Sequence, residues 1–412
     1  MTKMPELLAP AGNMEKFRAA VRYGADAVYL SGKRFGMRSA CDNFTRDEMA
    51  EAVELAHANG RRVYVTVNIM PRTNEYTALV NYIDELAGIG VDAVIVSDIG
   101  VLELVRGRAP KMEIHISTQA SAVSAASCTA WHRLGAKRVV LARELTLDEI
   151  HDIRANTPSS LELEAFIHGS MCISYSGRCL LSNYFTGRDA NRGNCSQPCR
   201  WNYTVKHFEI TEEKRPNTRI PVEEHVDGTF VMSSRDMCMI EHVPELIDAG
   251  IDSFKIEGRV KSAYYVAVTA NAYRIAIDRY SADGANYTFD PALLRELESV
   301  SHREYCTGFF FGPPNEGANT VTSDGYLRDK SYLATVISYD TVTGVARLMQ
   351  KNKLIAGQDA EVVSPGLCGR PFTVGDIYNA DGERIGSTPH PGMVYETRIP
   401  FCVGEGDILR SV

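Results

Sequence analysis

Cys172, Cys179, Cys195 and Cys199 fall within 28 residues of a chain whose other six cysteines are spread out. Thiolates are soft, anionic donors, so four of them on loops free to converge suit a metal site. Their spacers of six, fifteen and three residues match neither the two-residue pairs of zinc ribbons nor the tight ferredoxin run. The four-thiolate reading therefore stays open between structural zinc and an iron–sulfur cluster, with unmetallated buried thiols as the bland alternative. Redox-dithiol chemistry fits less well, because the usual C-x-x-C spacing at a helix N-terminus is missing. Gly193 and Pro198 suit a tight turn that presents Cys195 and Cys199 in one direction, which favours ligation.

The thiols sit in basic surroundings. From Ser170 to Lys206, Arg178, Arg188, Arg192, Arg200 and Lys206 oppose a single anion, Asp189, with Tyr175, Tyr184, Phe185, Trp201 and Tyr203 interleaved. Such a stretch suits contact with unstacked RNA bases or, equally, a solvated loop beside an acidic neighbour. The net charge of −8 at pH 7 argues against nonspecific coating of nucleic acid.

These residues need a scaffold, and 412 residues at 44% hydrophobic composition can bury a large core. The N-terminus lacks a signal-peptide pattern and no window reaches about 18 uninterrupted apolar residues, so the expectation is a cytoplasmic protein with no membrane partner. A reducing cytosol makes a disulfide framework improbable.

A phrase recurs along the first 260 residues: RYGADAVYL, GIGVDAVIVSD, RLGAKRVVLARE and DAGIDSFKIEGR, with ANGRRVYVTVN a looser copy. Each is a helical run, a Gly suited to the C-terminal cap, and a short apolar run that reads as a buried parallel strand. Strands are expected near Glu6 to Ala9, Ala27 to Leu30, Val63 to Val67, Ala93 to Ser97, Glu113 to Ser117, Arg138 to Ala142, Leu163 to Ile167 and Ser253 to Ile256. Eight such strands predict an α/β fold, a TIM-barrel-like (β/α)8 domain over 1–320, with the cysteines in a long insertion at about 170–240. A doubly wound sheet is the competitor, but LLAPAGN after the first strand lacks the dinucleotide fingerprint. From Tyr332 on, short β-branched runs between turns predict a small β-barrel over 330–412.

A barrel keeps its chemistry on the loops after its strands. Asn68, Asp98, His115, Gln119, Arg143, Glu144 and His168 lie at expected strand ends, as does the run Lys255 to Arg259. His168, Lys255 and Glu257 are the candidate catalytic groups, and Arg143 and Arg259 could meet a small anionic ligand. His115 could equally point into the barrel interior. No H-E-x-x-H or G-x-S-x-G occurs, so peptide hydrolysis has no visible machinery.

The phrases PELLAPAGN, IHISTQAS, FIHGSMCISYSGRCLLSNY, NRGNCSQPCRWNY and DSFKIEGRVKS resemble peptidase family U thirty-two, the collagenase-like proteins, from about Pro5 through the C-terminal β module. The tRNA wobble-uridine hydroxylating branch is the most similar. The resemblance implies a 4Fe-4S cluster held by Cys172, Cys179, Cys195 and Cys199, with zinc as the alternative. Relatives acting on quinones move one ligand, and Cys238, then Cys41, would be the substitutes. It further implies oxygen-independent hydroxylation of tRNA uridine to 5-hydroxyuridine with prephenate as hydroxyl donor, and a paralogous protein as a possible partner. Arg143 and Arg259 would clamp this dicarboxylate. A flipped uridine would stack on Trp201 or Tyr203. Peptidase activity, or hydroxylation of rRNA or a quinone precursor, are the alternatives.

Overall fold

The computed structural model describes residues 3–37, 42–172, 174–201, 211–212, 215–219, 234–312 and 327–412. Eight parallel strands form the main domain: β1 (Glu6–Pro10), β2 (Ala27–Leu30), β3 (Arg62–Val67), β4 (Ala93–Val96), β5 (Glu113–Ile116), β6 (Arg138–Val140), β7 (Glu162–Ser170) and β8 (Ser253–Ile256). Each pairs with the next, and β8 pairs with β1, so the sheet closes on itself. The TIM-barrel-like fold read from the repeats is the fold observed.

The helices between the strands start where the sequence supplies caps. Thr45 and Thr146 each form a reciprocal capping box, with Glu48 and Glu149, at the start of helices Arg46–Ala58 and Leu147–Ala155. The helix after β8, Ala263–Asp283, begins on Ser262, whose hydroxyl accepts the Tyr265 N–H. It is buried over most of its first four turns, because it packs against the outside of the barrel and the C-terminal domain also rests on it.

The long insertion does not simply leave the barrel. A short strand, Asp236–Cys238, returns antiparallel to the end of β7, pairing with His168, Gly169 and Ser170, before helix Val243–Asp248 crosses over to β8. That pairing makes β7 longer than its apolar run. It also follows an irregularity in register: Lys255 pairs with Phe166, but Ile256 pairs with His168, leaving Ile167 as an extra residue. One extra residue in a strand exchanges its two faces beyond that point.

The barrel interior is not apolar throughout. Leu8, Ala27, Tyr29, Tyr64, Ala93 and Ile95 form a small inner cluster. Beside them Arg138, 2% exposed, bonds Glu6 at 2.6 Å, Glu162 at 2.8 Å and the fully buried Glu164 at 3.0 Å. Lys255 Nζ donates to the other oxygen of Glu164 at 2.6 Å.

The C-terminal domain holds eight antiparallel strands in an open half-barrel, from Tyr332–Asp340 to Ile408–Ser411, around its own core that includes Leu348, Val362 and Tyr395. It is tied to the barrel by buried Arg410, which bonds Glu296 at 2.7 Å, and by Tyr23 Oη, which donates to the Val363 carbonyl at 2.8 Å. Among the described residues no helix is long and apolar enough to cross a membrane.

Candidate functional site

The C-terminal ends of the strands surround a cavity of about 170 Å³. Its floor and walls come from the barrel: Tyr29 on β2, Phe166 on β7, Lys255 on β8, and Arg143, Glu144, Glu257 and Arg259 just past strand ends. Its roof is the first part of the insertion, which brings Cys172, Cys179, Cys195 and Cys199 to the same cavity.

The roof is pinned by specific contacts. The Ser176 N–H and hydroxyl both donate to Glu144 Oε1, at 2.8 and 3.2 Å. Arg143 Nη1 donates to the Ser170 carbonyl at 2.8 Å. Arg192 pairs with Glu75 at 3.0 Å. Two glycines permit close approach to the barrel loops. Gly177, at φ +72°, would place a Cβ 2.3 Å from the Gln119 carbonyl oxygen, and Gly193, at φ +87°, would place one 2.5 Å from that of Gly36. A side chain at either position would both strain the backbone and push the cysteine loop off its seat.

The four thiols are accessible in a way the core thiols are not. Cys172 is exposed and the other three are half-buried. Cys238, by contrast, is buried beside β7, where desolvation pushes its thiol up to about 12, and it does not line the cavity. A thiol so disfavoured as thiolate is a poor substitute ligand. Cys41 lies outside the described residues. Among the described residues, no three His, Cys, Asp or Glu side chains stand close enough together to share one metal ion.

Three cations, Arg143, Lys255 and Arg259, and two carboxylates, Glu144 and Glu257, line the cavity. Burial pulls the Lys255 ammonium down, and the Glu164 carboxylate opposes that shift. Glu164 itself, though desolvated, is held at about 2 by Lys255 and Arg138. The ammonium also lies 4.5 Å from the Tyr29 ring centroid, a cation–π contact. Tyr29 Oη in turn reaches the Ile256 carbonyl at 3.0 Å and Glu257 Oε2 at 3.3 Å. The Arg143 guanidinium carbon lies over the Phe166 ring, 3.8 Å from its centroid. The cavity thus offers fixed cations on aromatic supports, suited to an anionic small molecule, next to a set of thiols.

Several expected site residues lie elsewhere. His168 does not face the mouth. The extra residue in β7 turns it outward, where its ring contacts Tyr265, Tyr273 and Tyr305, and burial lowers it to about 3. A neutral imidazole packed outside the barrel is no acid or base for ligands in the cavity. His115 is fully buried inside the barrel, its ring 4.7 Å from that of Tyr64. Asp98 caps helix Ile99–Arg108, accepting from the Gly100 and Val101 N–H groups. Trp201 is 39% exposed, donates from Nε1 to the Ser196 carbonyl at 3.1 Å, and does not line the cavity. Tyr203 lies outside the described residues. Asn68 and Gln119 do line the cavity, as does Tyr175 from the aromatics of the basic stretch, together with Tyr29, Phe166 and Ser176, which sequence reasoning passed over. Phe166 pairs in register with the candidate Lys255, and strand alternation was the signal available for it.

A closed parallel barrel with a cysteine-bearing roof over a polar mouth defines a class of barrel proteins built for chemistry at one end. The chain belongs to Peptidase family U32: the family model matches residues 12–320 and the model of its C-terminal domain matches residues 328–410. It is 38% identical over 411 residues to tRNA hydroxylation protein P1 of Bacillus subtilis (strain 168), covering 100% of this chain and 96% of the relative. It is 35% identical over 430 residues to tRNA hydroxylation protein P of Escherichia coli (strain K12), covering 96% and 94%. To the 23S rRNA 5-hydroxycytidine C2501 synthase of the same organism it is 40% identical over 273 residues, covering 66% of this chain and 39% of that one.

Proposed function

We propose that this protein hydroxylates uridine of tRNA at C5, using an iron–sulfur cluster held by Cys172, Cys179, Cys195 and Cys199 and prephenate as the source of the hydroxyl group. One observation carries the reading: four thiols and three cations drawn from distant parts of the chain line a single cavity at the barrel mouth. Relatives named for tRNA hydroxylation and matching along nearly their whole length support the substrate class.

Four thiols lining one cavity are a soft donor set of the kind that would hold an iron–sulfur cluster, with zinc as the alternative. When bound, such a cluster supplies redox chemistry that side chains lack. The chain's own residues bind and orient: Arg143 and Arg259 meet carboxylates, while Lys255 and Glu257 border the space where the substrates come together. A peptidase reading is weaker, because no histidine lines the cavity among the described residues, so neither its cysteines nor its serines have an imidazole base.

Turnover of tRNA by anaerobically purified protein with and without prephenate tests the proposal, with 5-hydroxyuridine read by mass spectrometry. Dependence on prephenate is expected, and product formed equally without it would remove the donor from the account. Arg259→Ala should raise the prephenate concentration needed for half-maximal rate by about 10- to 100-fold, the worth of one charge-assisted contact. An unchanged value would take Arg259 out of the clamp.

A further inference from the structure

Glu144 stands in an unusual position. Its Oε1 is held twice by Ser176, at 2.8 and 3.2 Å, so the side chain has one orientation. Its Oε2 is buried and has no hydrogen-bond partner among the described residues. A buried acceptor left unmade costs about 1–3 kcal/mol, so such an atom asks for a donor. Glu144 lines the cavity, and the donor can therefore come from a ligand. Tyr175, the neighbour of Ser176, is 48% exposed and lines the same cavity, offering a ring to a planar ligand.

Resting on the tRNA reading above, we infer that Glu144 is the residue that selects uracil: its Oε2 accepts the N3–H of the base while the ring lies against Tyr175. Uracil carries a donor at N3. Cytosine carries a lone pair there, which would meet the carboxylate oxygen as acceptor against acceptor. Base-reading pockets work this way, by hydrogen bonds to the Watson–Crick edge together with stacking. A site built around one hydrogen bond rejects the analogue lacking it strongly, because its own buried group is then unpaired. The double anchor on Ser176 matters equally. It fixes the acceptor in advance, and it links base recognition to the loop that carries Cys172 and Cys179.

The Glu144→Gln variant separates this role from a structural one. Its amide oxygen can keep accepting from Ser176, and its NH2 then replaces the acceptor by a donor. The assay uses anaerobically purified full-length protein and RNA stem–loops that carry uridine, 3-methyluridine or cytidine at the target position. Wild type should hydroxylate uridine at least about 10- to 100-fold better than either analogue. Glu144→Gln, with the iron content and thermal midpoint of wild type, should lose that preference, its uridine-to-cytidine ratio falling toward one. A variant slower on all three RNAs with an unchanged ratio would overturn the inference and leave Glu144 as a loop anchor. Wild type that accepts 3-methyluridine as readily as uridine would overturn it without any variant. Wild type that hydroxylates none of the three, even with prephenate, would instead bring down the tRNA reading on which the inference rests.

Discussion

Cys195→Ala protein, purified without oxygen, should lose most of its iron and sulfide and hydroxylate tRNA at least about 100-fold more slowly than wild type. The expectation follows from how the roof is built. Cys195 lies between Gly193, seated against Gly36, and Cys199, so its thiol is delivered to the cavity by backbone that the barrel loops fix. Residues that merely support metal ligands cost about 10- to 100-fold when removed. Loss of a ligand should exceed that. Cys238→Ala is the matched control: its thiol lies outside the cavity and is held protonated by burial, so iron content should not change. Iron and sulfide analysis with electron paramagnetic resonance checks both variants. Full iron in Cys195→Ala would refute the ligand assignment, and iron lost from Cys238→Ala would move one ligand out of the loop.

Arg138→Ala should destabilise the barrel by about 3–5 kcal/mol, the range for breaking a buried ion pair by removing one partner. Arg138 is the shared partner of Glu6, Glu162 and Glu164; Lys255 also bonds Glu164, while the further cations of Glu162, Lys3 and Lys137, stand on the rim at 3.6 and 3.5 Å. The effect should depend on pH in a defined direction. Glu164 sits at about 2 in the folded protein against an ordinary value of 4.5. A carboxyl depressed by folding stabilises the folded state fully above its ordinary value, and loses that contribution as pH falls toward the depressed one. Wild-type stability should therefore decline as pH falls from 4.5 toward 2. The gap between wild type and Arg138→Ala should narrow over the same interval. Urea unfolding across that range measures both, and coincident curves at neutral pH would show that the network contributes nothing.

The two variants fall on features of different legibility. The barrel could be read because each strand is a short apolar run after a Gly-capped helix, and because side chains packed outward from β1 to β8 must be apolar to meet the helices. The clustering of four cysteines was equally plain. The inward ion network was not. Glu6, Arg138, Glu164 and Lys255 are far apart in sequence, and each alone reads as a polar residue at a strand margin; only closure of the sheet brings them together. His168 misled for a more local reason. Simple alternation from Phe166 sends it to the mouth, but the extra residue in β7 reverses the face, and no residue type in FIHGS announces it. Trp201 drew attention as the aromatic beside Cys199, whereas Tyr175, earlier in the same loop, is the ring that reaches the cavity. Ser176 could not have been paired with Glu144 before the roof was seen folded over the end of β6.

The central claim is best tested in cells grown without oxygen, by mass spectrometry of nucleosides from total tRNA with the gene present, deleted, and restored as wild type or Cys195→Ala. The account predicts that 5-hydroxyuridine and its derivatives disappear on deletion, return with wild type and stay absent with Cys195→Ala. A profile that deletion leaves unchanged would contradict it.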